Sequence, residues 1–417
     1  TTEAIHSSVH LDFTLARVFF SNYVMVEYLM VAYRIRCMGV LFLSSLFLGI
    51  TSVTIGNVVM IAVGLTLIYL AISKEYEPAL LLPIGFSTVL VNIPLSSVLD
   101  QWIEGVLHRG VLSIFFDIGI ITEIFPLLIF IAVGAMIDFG PLLEHPIMIL
   151  FGAAAQFGIF ATMVVATLLG FDLKQAASIG IIGAADGPTS IYVAGRFARE
   201  LLGPISVAAY SYMSLVPIIQ PPVIKMLTTK QERAIKMPAK SLKISKRAKI
   251  IFPIAVTVIS SLIAPNAAAL IGFLMFGNLL RECGVLNSIA KSAQNELANI
   301  VTILLGLSIG STMTADKFLR PQTLYILLLG LVAFVFDTAG GVLFAKFLNL
   351  FLKNKINPML GAAGISAFPM SARVIHQLGR KEDPTNYLLM HAVGANVAGQ
   401  IGSVLAGGVL ITLISNL

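Results

Sequence analysis

The sequence predicts an all-α polytopic membrane protein built from two related halves whose spanning helices are broken. Three observations carry this: a very apolar composition, apolar runs of membrane-spanning length, and an ordered series of matched segments in the two halves. Of 417 residues, 57% are hydrophobic and 12% charged, with a mean hydropathy of +0.93. Soluble domains carry about 25% charged residues. This chain therefore has too few polar groups to cover its surface in water. Several of its apolar runs reach the roughly 20 residues that a bilayer-crossing helix needs.

Residues 1–50 form a divergent segment expected to hold one or two helices. Its apolar stretch at about 18–33 is interrupted by Glu27 and flanked by Arg17, Arg34 and Arg36, with no small-residue cleavage site, so it does not read as a signal peptide. Apolar runs follow at about 37–50, 54–73, 79–98, 111–137, 147–170, 176–195 and 204–224, and residues 51–224 form a first repeat. A second series lies at about 250–264, 266–280, 298–314, 322–349, 357–372 and 388–414, within a second repeat of residues 250–417. The total is about 10–13 membrane segments.

Between the halves, residues 225–249 hold Lys225, Lys230, Arg233, Lys236, Lys240, Lys243, Lys246, Arg247 and Lys249 against one acid, Glu232. That is a third of the 27 basic residues in one polar linker, which marks the linker as cytoplasmic. A docking surface for an acidic partner or for lipid headgroups is compatible with this placement. Because basic residues gather between spans, the net charge of +6 does not point to nucleic acid. The two cysteines, Cys37 and Cys283, lack framework spacing, and the six histidines form no H-E-x-x-H pattern.

The halves resemble each other in order. Residues 183–190 read GAADGPTS, and residues 361–369 read GAAGISAFP. Ala132-Val133-Gly134-Ala135-Met136 before Pro146 is echoed by Ser308-Ile309-Gly310-Ser311-Thr312-Met313 before Pro321. Ile84-Gly85-Phe86 with Asn92 is echoed by Ile271-Gly272-Phe273 with Asn278. An internal repeat in a membrane chain suggests a two-repeat transporter architecture. Gly and Pro in the matched segments predict breaks, and non-helical backbone at membrane depth persists only where it lines a protein cavity. Freed carbonyls and hydroxyls there can form an oxygen cage suited to a hard cation such as Na⁺.

Asp186 is the one acid between Asp172 and Glu200, in a Gly-flanked break with Thr189 and Ser190 beside it. An intramembrane carboxylate is a functional candidate by default, here a Na⁺ or proton site; a polar-loop acid or a helix N-cap is the alternative. The matching segment of the second half supplies no acid but offers Asn357, Gly361 and Ser366, followed by Arg373. Arg373 suits a bidentate grip on a carboxylate, or a charge snorkelling at a helix end. Tyr212 reads as a site residue or an interfacial tyrosine, and Asn396 as a ligand or a helix-packing asparagine. Asp117 and Glu123 border a loop, while Asp337 with Thr338 is a second intramembrane candidate.

Five stretches resemble the beta subunits of sodium-translocating, biotin-dependent decarboxylases, a family that includes the oxaloacetate, methylmalonyl-CoA, glutaconyl-CoA and malonate enzymes. They are residues 126–143 (PLLIFIAVGAMIDFGPLL), 180–194 (GIIGAADGPTSIYVA), 203–233 (GPISVAAYSYMSLVPIIQPPVIKMLTTKQER), 294–313 (QNELANIVTILLGLSIGSTM) and 357–374 (NPMLGAAGISAFPMSARV). The resemblance runs from about residue 54 to the end. It implies two inverted repeats with discontinuous helices, assembled as a homotrimer in the cytoplasmic (inner) membrane of a bacterium or archaeon. It implies Asp186 as the carboxylate that exchanges Na⁺ and H⁺, Asn357, Gly361 and Ser366 along the ion path, and Asn396 as a further ligand. It ties Tyr212 and Arg373 to sodium or carboxybiotin handling. The implied reaction is decarboxylation of carboxybiotin coupled to Na⁺ export, with one proton consumed. The implied partners are a carboxyltransferase (alpha) subunit, a biotin carrier domain, a small single-span gamma or delta subunit and membrane lipids. The alternative is a stand-alone Na⁺-coupled transporter of a small carboxylate, with Arg373 holding that carboxylate. A membrane scaffold gives no reason for an isolated buried acid.

Overall fold

Helices break where Gly and Pro interrupt apolar runs, and those breaks organise this molecule. The computed structural model describes Met30, residues 47–237 and residues 244–415. Most of the divergent N-terminal segment, with its apolar stretch at 18–33 and Cys37, lies outside the described residues. Among the described residues, one unit holds 47–54 with Ile93–Leu95 and includes the short helix α1 (Leu48–Thr51). The other, Ile55–Asn92 with Ser96–Leu417, contains every feature discussed below.

The second unit begins with α2 (Ile55–Ser73), which carries no charged residue, and α3 (Pro78–Val91), which Pro78 opens with a preset φ. A two-stranded sheet follows, β1 (Gln101–Ile103) against β2 (Val106–His108), and it is the only sheet among the described residues. Its turn is Glu104-Gly105, both at positive φ as a type I′ hairpin turn requires. Next come α4 (Val111–Phe116), which continues as a π-turn, and α5 (Ile124–Met136), bent by 61° at Thr122–Glu123. Then follow α6 (Gly140–Glu144), α7 (Met148–Ala154), α8 (Phe157–Leu168), α9 (Leu173–Gly180), α10 (Gly187–Phe197) and α11 (Leu202–Leu227).

The linker holds α12 (Lys230–Arg233). Beyond it lie α13 (Lys246–Ile263), α14 (Ala268–Glu282), α15 (Asn287–Ser292), α16 (Ala298–Gly310), α17 (Ala315–Phe318) and α18 (Pro321–Phe351). The chain closes with α19 (Met359–Ala362), α20 (Met370–Glu382) and α21 (Leu389–Ser415).

Among the described residues, five helices are long and apolar enough to cross a membrane: Ile55–Ser73, Met148–Leu168, Arg199–Leu227, Pro321–Phe351 and Leu389–Ser415. The bent pair Val111–Ile121 and Ile124–Met136 makes a sixth if counted as one span. The expected runs at 176–195 and 357–372 are each split by a break, so their pieces are too short to cross alone.

Two helix pairs cross between the halves in equivalent ways. α14 packs on α5, and a Cβ on Gly277 would overlap the Ile131 carbonyl, so this approach requires glycine. There Asn278 donates from Nδ2 to the Ile137 carbonyl at 2.9 Å. α3 packs on α16, where Asn92 donates to the Met313 carbonyl at 2.7 Å and accepts from the Ala315 amide at 3.1 Å. Each asparagine thus closes the C-terminal end of a helix from the other half, where carbonyls lack intrahelical partners.

These two junctions lie toward opposite ends of α11. α11 has 26 residues and is therefore about 39 Å long at 1.5 Å per residue. Thr312 lies against Gly203 at its start, and Lys346 bonds the Leu227 carbonyl at its end, at 3.1 Å. The linker end also holds the Asn278 junction. Lys236 pairs with Asp383 at 3.0 Å in the loop before α21, and His391 in the first turn of α21 stacks on His145 with ring centroids 4.3 Å apart.

Candidate functional site

The first break is built by sequence chemistry. α9 tightens into a 3₁₀ turn at Ile181–Ala184, Ala185 adopts a left-handed φ of 52°, and Asp186 is extended. Pro188 then starts α10 with φ already set. The Asp186 side chain caps α10 by accepting from the Thr189 amide at 3.3 Å. Asp186 thus takes the N-cap role that stood as the alternative reading, and it does so inside the protein, only 4% exposed. Its Oδ2 also accepts from the Thr189 hydroxyl at 2.7 Å and the Ser403 hydroxyl at 2.8 Å.

The second break runs from α19 through residues 363–369 to α20. It meets the first directly: the Ser366 amide donates to the Ala184 carbonyl at 2.9 Å. α21 lies across both breaks. Asn396 Nδ2 donates to the Ile365 carbonyl at 2.6 Å, Ser366 Oγ donates to the Gly399 carbonyl at 2.9 Å, and Gln400 donates to the Ser366 carbonyl. From the other side, Gln220 in α11 donates to the Ala362 carbonyl at 2.9 Å and accepts from Ser371 at 3.1 Å. A cavity of about 220 Å³ opens onto Asp186, Tyr210, Ser366, Phe368 and Gln400. One carboxylate with surrounding hydroxyls and carbonyls suits a hard monovalent cation or a proton. Among the described residues no group of three or more His, Cys, Asp or Glu gathers to hold a metal.

The other residues singled out by sequence fall in different places. Asn396 is fully buried, and its Oδ1 has no hydrogen-bond partner. Gly361 abuts Gly341 so closely that a Cβ on either would overlap the other's carbonyl; it brings α18 and α19 together. Asn357 holds the linker, donating to the Arg233 and Ile235 carbonyls at 2.8 and 2.9 Å, while its Oδ1 accepts from the Met359 amide at 3.1 Å. Tyr212 donates to the Leu327 carbonyl, whereas Tyr210, two residues earlier, lines the cavity. Arg373 is exposed on the first turn of α20, and its side chain makes no hydrogen bond or ion pair with the described residues. Asp117 pairs with Arg109, and Glu123 with Arg196 at 3.6 Å.

The basic linker is anchored to α20 and the loop after it. Arg233 pairs with Glu382 at 2.7 Å and donates to the Thr228 carbonyl at 2.6 Å. Asn386 adds a bond to the Ile235 carbonyl at 3.2 Å. Asp383 accepts from the Thr385 hydroxyl and amide and pairs with Lys236, contacts that hold its carboxyl down at about 2.

Sequence reasoning did not single out Ser403, Gln400 or Tyr210. One signal was available: Asn396, Gln400 and Ser403 recur at i, i+4 and i+7 and so form a polar stripe on an apolar helix.

Comparison with known proteins bears on this arrangement. The profile of the family described as Na⁺-transporting oxaloacetate decarboxylase beta subunit matches residues 56–414. The chain is 48% identical to the oxaloacetate decarboxylase beta chain of Klebsiella pneumoniae, covering 88% of this chain and 97% of that one. It is 51% identical to the methylmalonyl-CoA decarboxylase subunit beta of Propionigenium modestum, covering 88% and 96%. It is 50% identical to the glutaconyl-CoA decarboxylase subunit beta of Acidaminococcus fermentans, covering 88% and 95%.

Proposed function

The chain belongs to the family of Na⁺-transporting oxaloacetate decarboxylase beta subunits, and on that premise we propose that it decarboxylates carboxybiotin while Asp186 exchanges the proton so consumed for an exported Na⁺. The observation that carries this is the crossing of the two breaks. There a buried carboxylate is held by two hydroxyls, and the backbone of one break is bonded to the backbone of the other.

The chemistry is balanced as follows. The N–CO₂⁻ bond of carboxybiotin breaks, CO₂ leaves, and the ureido nitrogen takes one proton. A protonated Asp186 supplies that proton equivalent as Na⁺ takes its place, with the Thr189 and Ser403 hydroxyls turning between donating to the carboxylate and offering lone pairs to the cation. Ser366 and Asn396 stand beside the same breaks and complete the proposed oxygen set. Asn357 and Gly361 support the path by holding α19 to the linker and to α18. Arg373, exposed at the start of α20, offers its guanidinium for the carboxylate of carboxybiotin, and Tyr212 steadies α11 against α18. Moving one charge against 100 mV requires about 2.3 kcal/mol, so two Na⁺ need roughly 4.6 kcal/mol before any concentration gradient.

The opposed positions of the Asn92 and Asn278 junctions support two inverted repeats within residues 51–224 and 250–417, joined by the 225–249 linker. Membership among beta subunits places the chain in a multi-subunit complex. The proposed companions are a carboxyltransferase subunit, a biotin carrier domain that approaches the basic linker from the cytoplasm, and a small single-span gamma or delta subunit. The proposed assembly is a homotrimer in a bacterial or archaeal inner membrane.

The test is reconstitution in liposomes with a carboxybiotin-bearing partner, following ²²Na⁺ with and without avidin. Uptake that depends on the partner and stops with avidin is expected. Flux indifferent to avidin overturns the reading in favour of a stand-alone transporter. Asp186→Asn should abolish decarboxylation and transport together.

A further inference from the structure

Halfway along α18, Asp337 is fully buried, and neither carboxylate oxygen has a hydrogen-bond partner of normal geometry. No Lys, Arg or His among the described residues pairs with it. Two elements approach it. α7 and α8 are parted at Ala155–Gln156, and the Gly158 and Ile159 amides of the first turn of α8 are the polar groups that approach the carboxylate. The second element is the 3₁₀ turn that leads into Asp186. A Cβ built on Gly183 would stand 2.5 Å from Asp337 Oδ2, and one built on Gly158 would stand 2.5 Å from Oδ1. Glycine at both positions is what leaves room for the carboxylate.

An ionised, unpaired carboxylate in an apolar interior is strongly disfavoured, so a group kept there carries a proton or faces a cation. Helix-end amides favour the ionised form. Gly183 and Asp186 are three positions apart, at most about 11 Å of extended chain. The two carboxylates therefore flank one short turn, Asp186 at its end and Asp337 against its side.

We propose that Asp337 is a second cation site, at which Na⁺ displaces a proton, so that each chain binds two monovalent cations on either side of the Ile181–Ala184 turn. The proposal rests on Asp186 being the first such site, and the two can fail separately. The experiment is equilibrium ²²Na⁺ binding to the full chain purified in detergent, comparing wild type, Asp337→Asn, Asp186→Asn and the double variant, each checked for a monodisperse fold. Two bound Na⁺ are expected for wild type, one for each single variant and none for the double. Wild-type capacity in Asp337→Asn overturns the second site. Wild-type capacity in Asp186→Asn, with one site lost in Asp337→Asn, overturns the Asp186 reading instead. Infrared difference spectra of the wild-type chain give a readout that needs no folded variant. Addition of Na⁺ should remove two protonated-carboxyl stretches, and the loss of only one overturns the proposal.

Discussion

Ser403→Ala removes one hydroxyl from α21 and tests the site at a residue that sequence did not point to. In the structure its Oγ lies 2.8 Å from Asp186 Oδ2, opposite the Thr189 hydroxyl at 2.7 Å. A hydrogen bond to a charged group contributes about 1.5–3 kcal/mol. Losing it favours the protonated carboxyl over the cation-bound one by that amount. At about 1.4 kcal/mol per tenfold, the Na⁺ concentration for half-maximal turnover should rise about 10- to 150-fold. Turnover at saturating Na⁺ should stay close to wild type, because Thr189 still holds the carboxylate. The assay is decarboxylation by the reconstituted complex across a Na⁺ titration, with Ser403→Thr as the variant that keeps a hydroxyl. An unchanged Na⁺ dependence in Ser403→Ala would refute the assignment of Asp186 as the cation site.

Gln400→Leu should leave the buried Ser366 carbonyl without its side-chain donor and cost about 1–3 kcal/mol, read as a lower midpoint of thermal unfolding in detergent. Asn92→Ala should destabilise more than Asn278→Ala by the same measurement. Asn92 both donates to Met313 and accepts from Ala315, whereas the Asn278 oxygen has no partner. The linker anchor should be insensitive to mild acid. The Asp383 carboxyl is depressed in the fold from 3.8 to about 2, so its contribution is present above 3.8 and is lost only as pH falls through about 2. Spin-label distances between the linker and the 383–388 loop should accordingly not change between pH 5 and 8, and a change within that window would show that another group titrates there.

Much of the fold was legible because spanning helices declare themselves by apolar run length. The runs expected at 54–73, 322–349 and 388–414 appear as Ile55–Ser73, Pro321–Phe351 and Leu389–Ser415. The breaks at Asp186 and after Gly361 were legible from Gly and Pro. The residues that gather at those breaks were less so. Ser403 lies 217 positions from Asp186, and nothing local in the sequence says which hydroxyl a distant helix will present. Tyr210 and Tyr212 lie about 200° apart around a helix at 3.6 residues per turn, so only one can face the cavity, and composition does not choose between them. Asn357 was legible as a motif residue, but its bonds to the Arg233 and Ile235 carbonyls were not, because those partners lie 124 and 122 positions away in sequence.

The bond between the Ser366 amide and the Ala184 carbonyl has a consequence for leakage. A pump that lets its site open to both compartments at once short-circuits the gradient it makes. Here the two interrupted strands of backbone are pinned to each other at one point, so neither can swing away without dragging or releasing its counterpart. Movement at one break is therefore tied to the other, which in a pump would oppose opening to both sides at once.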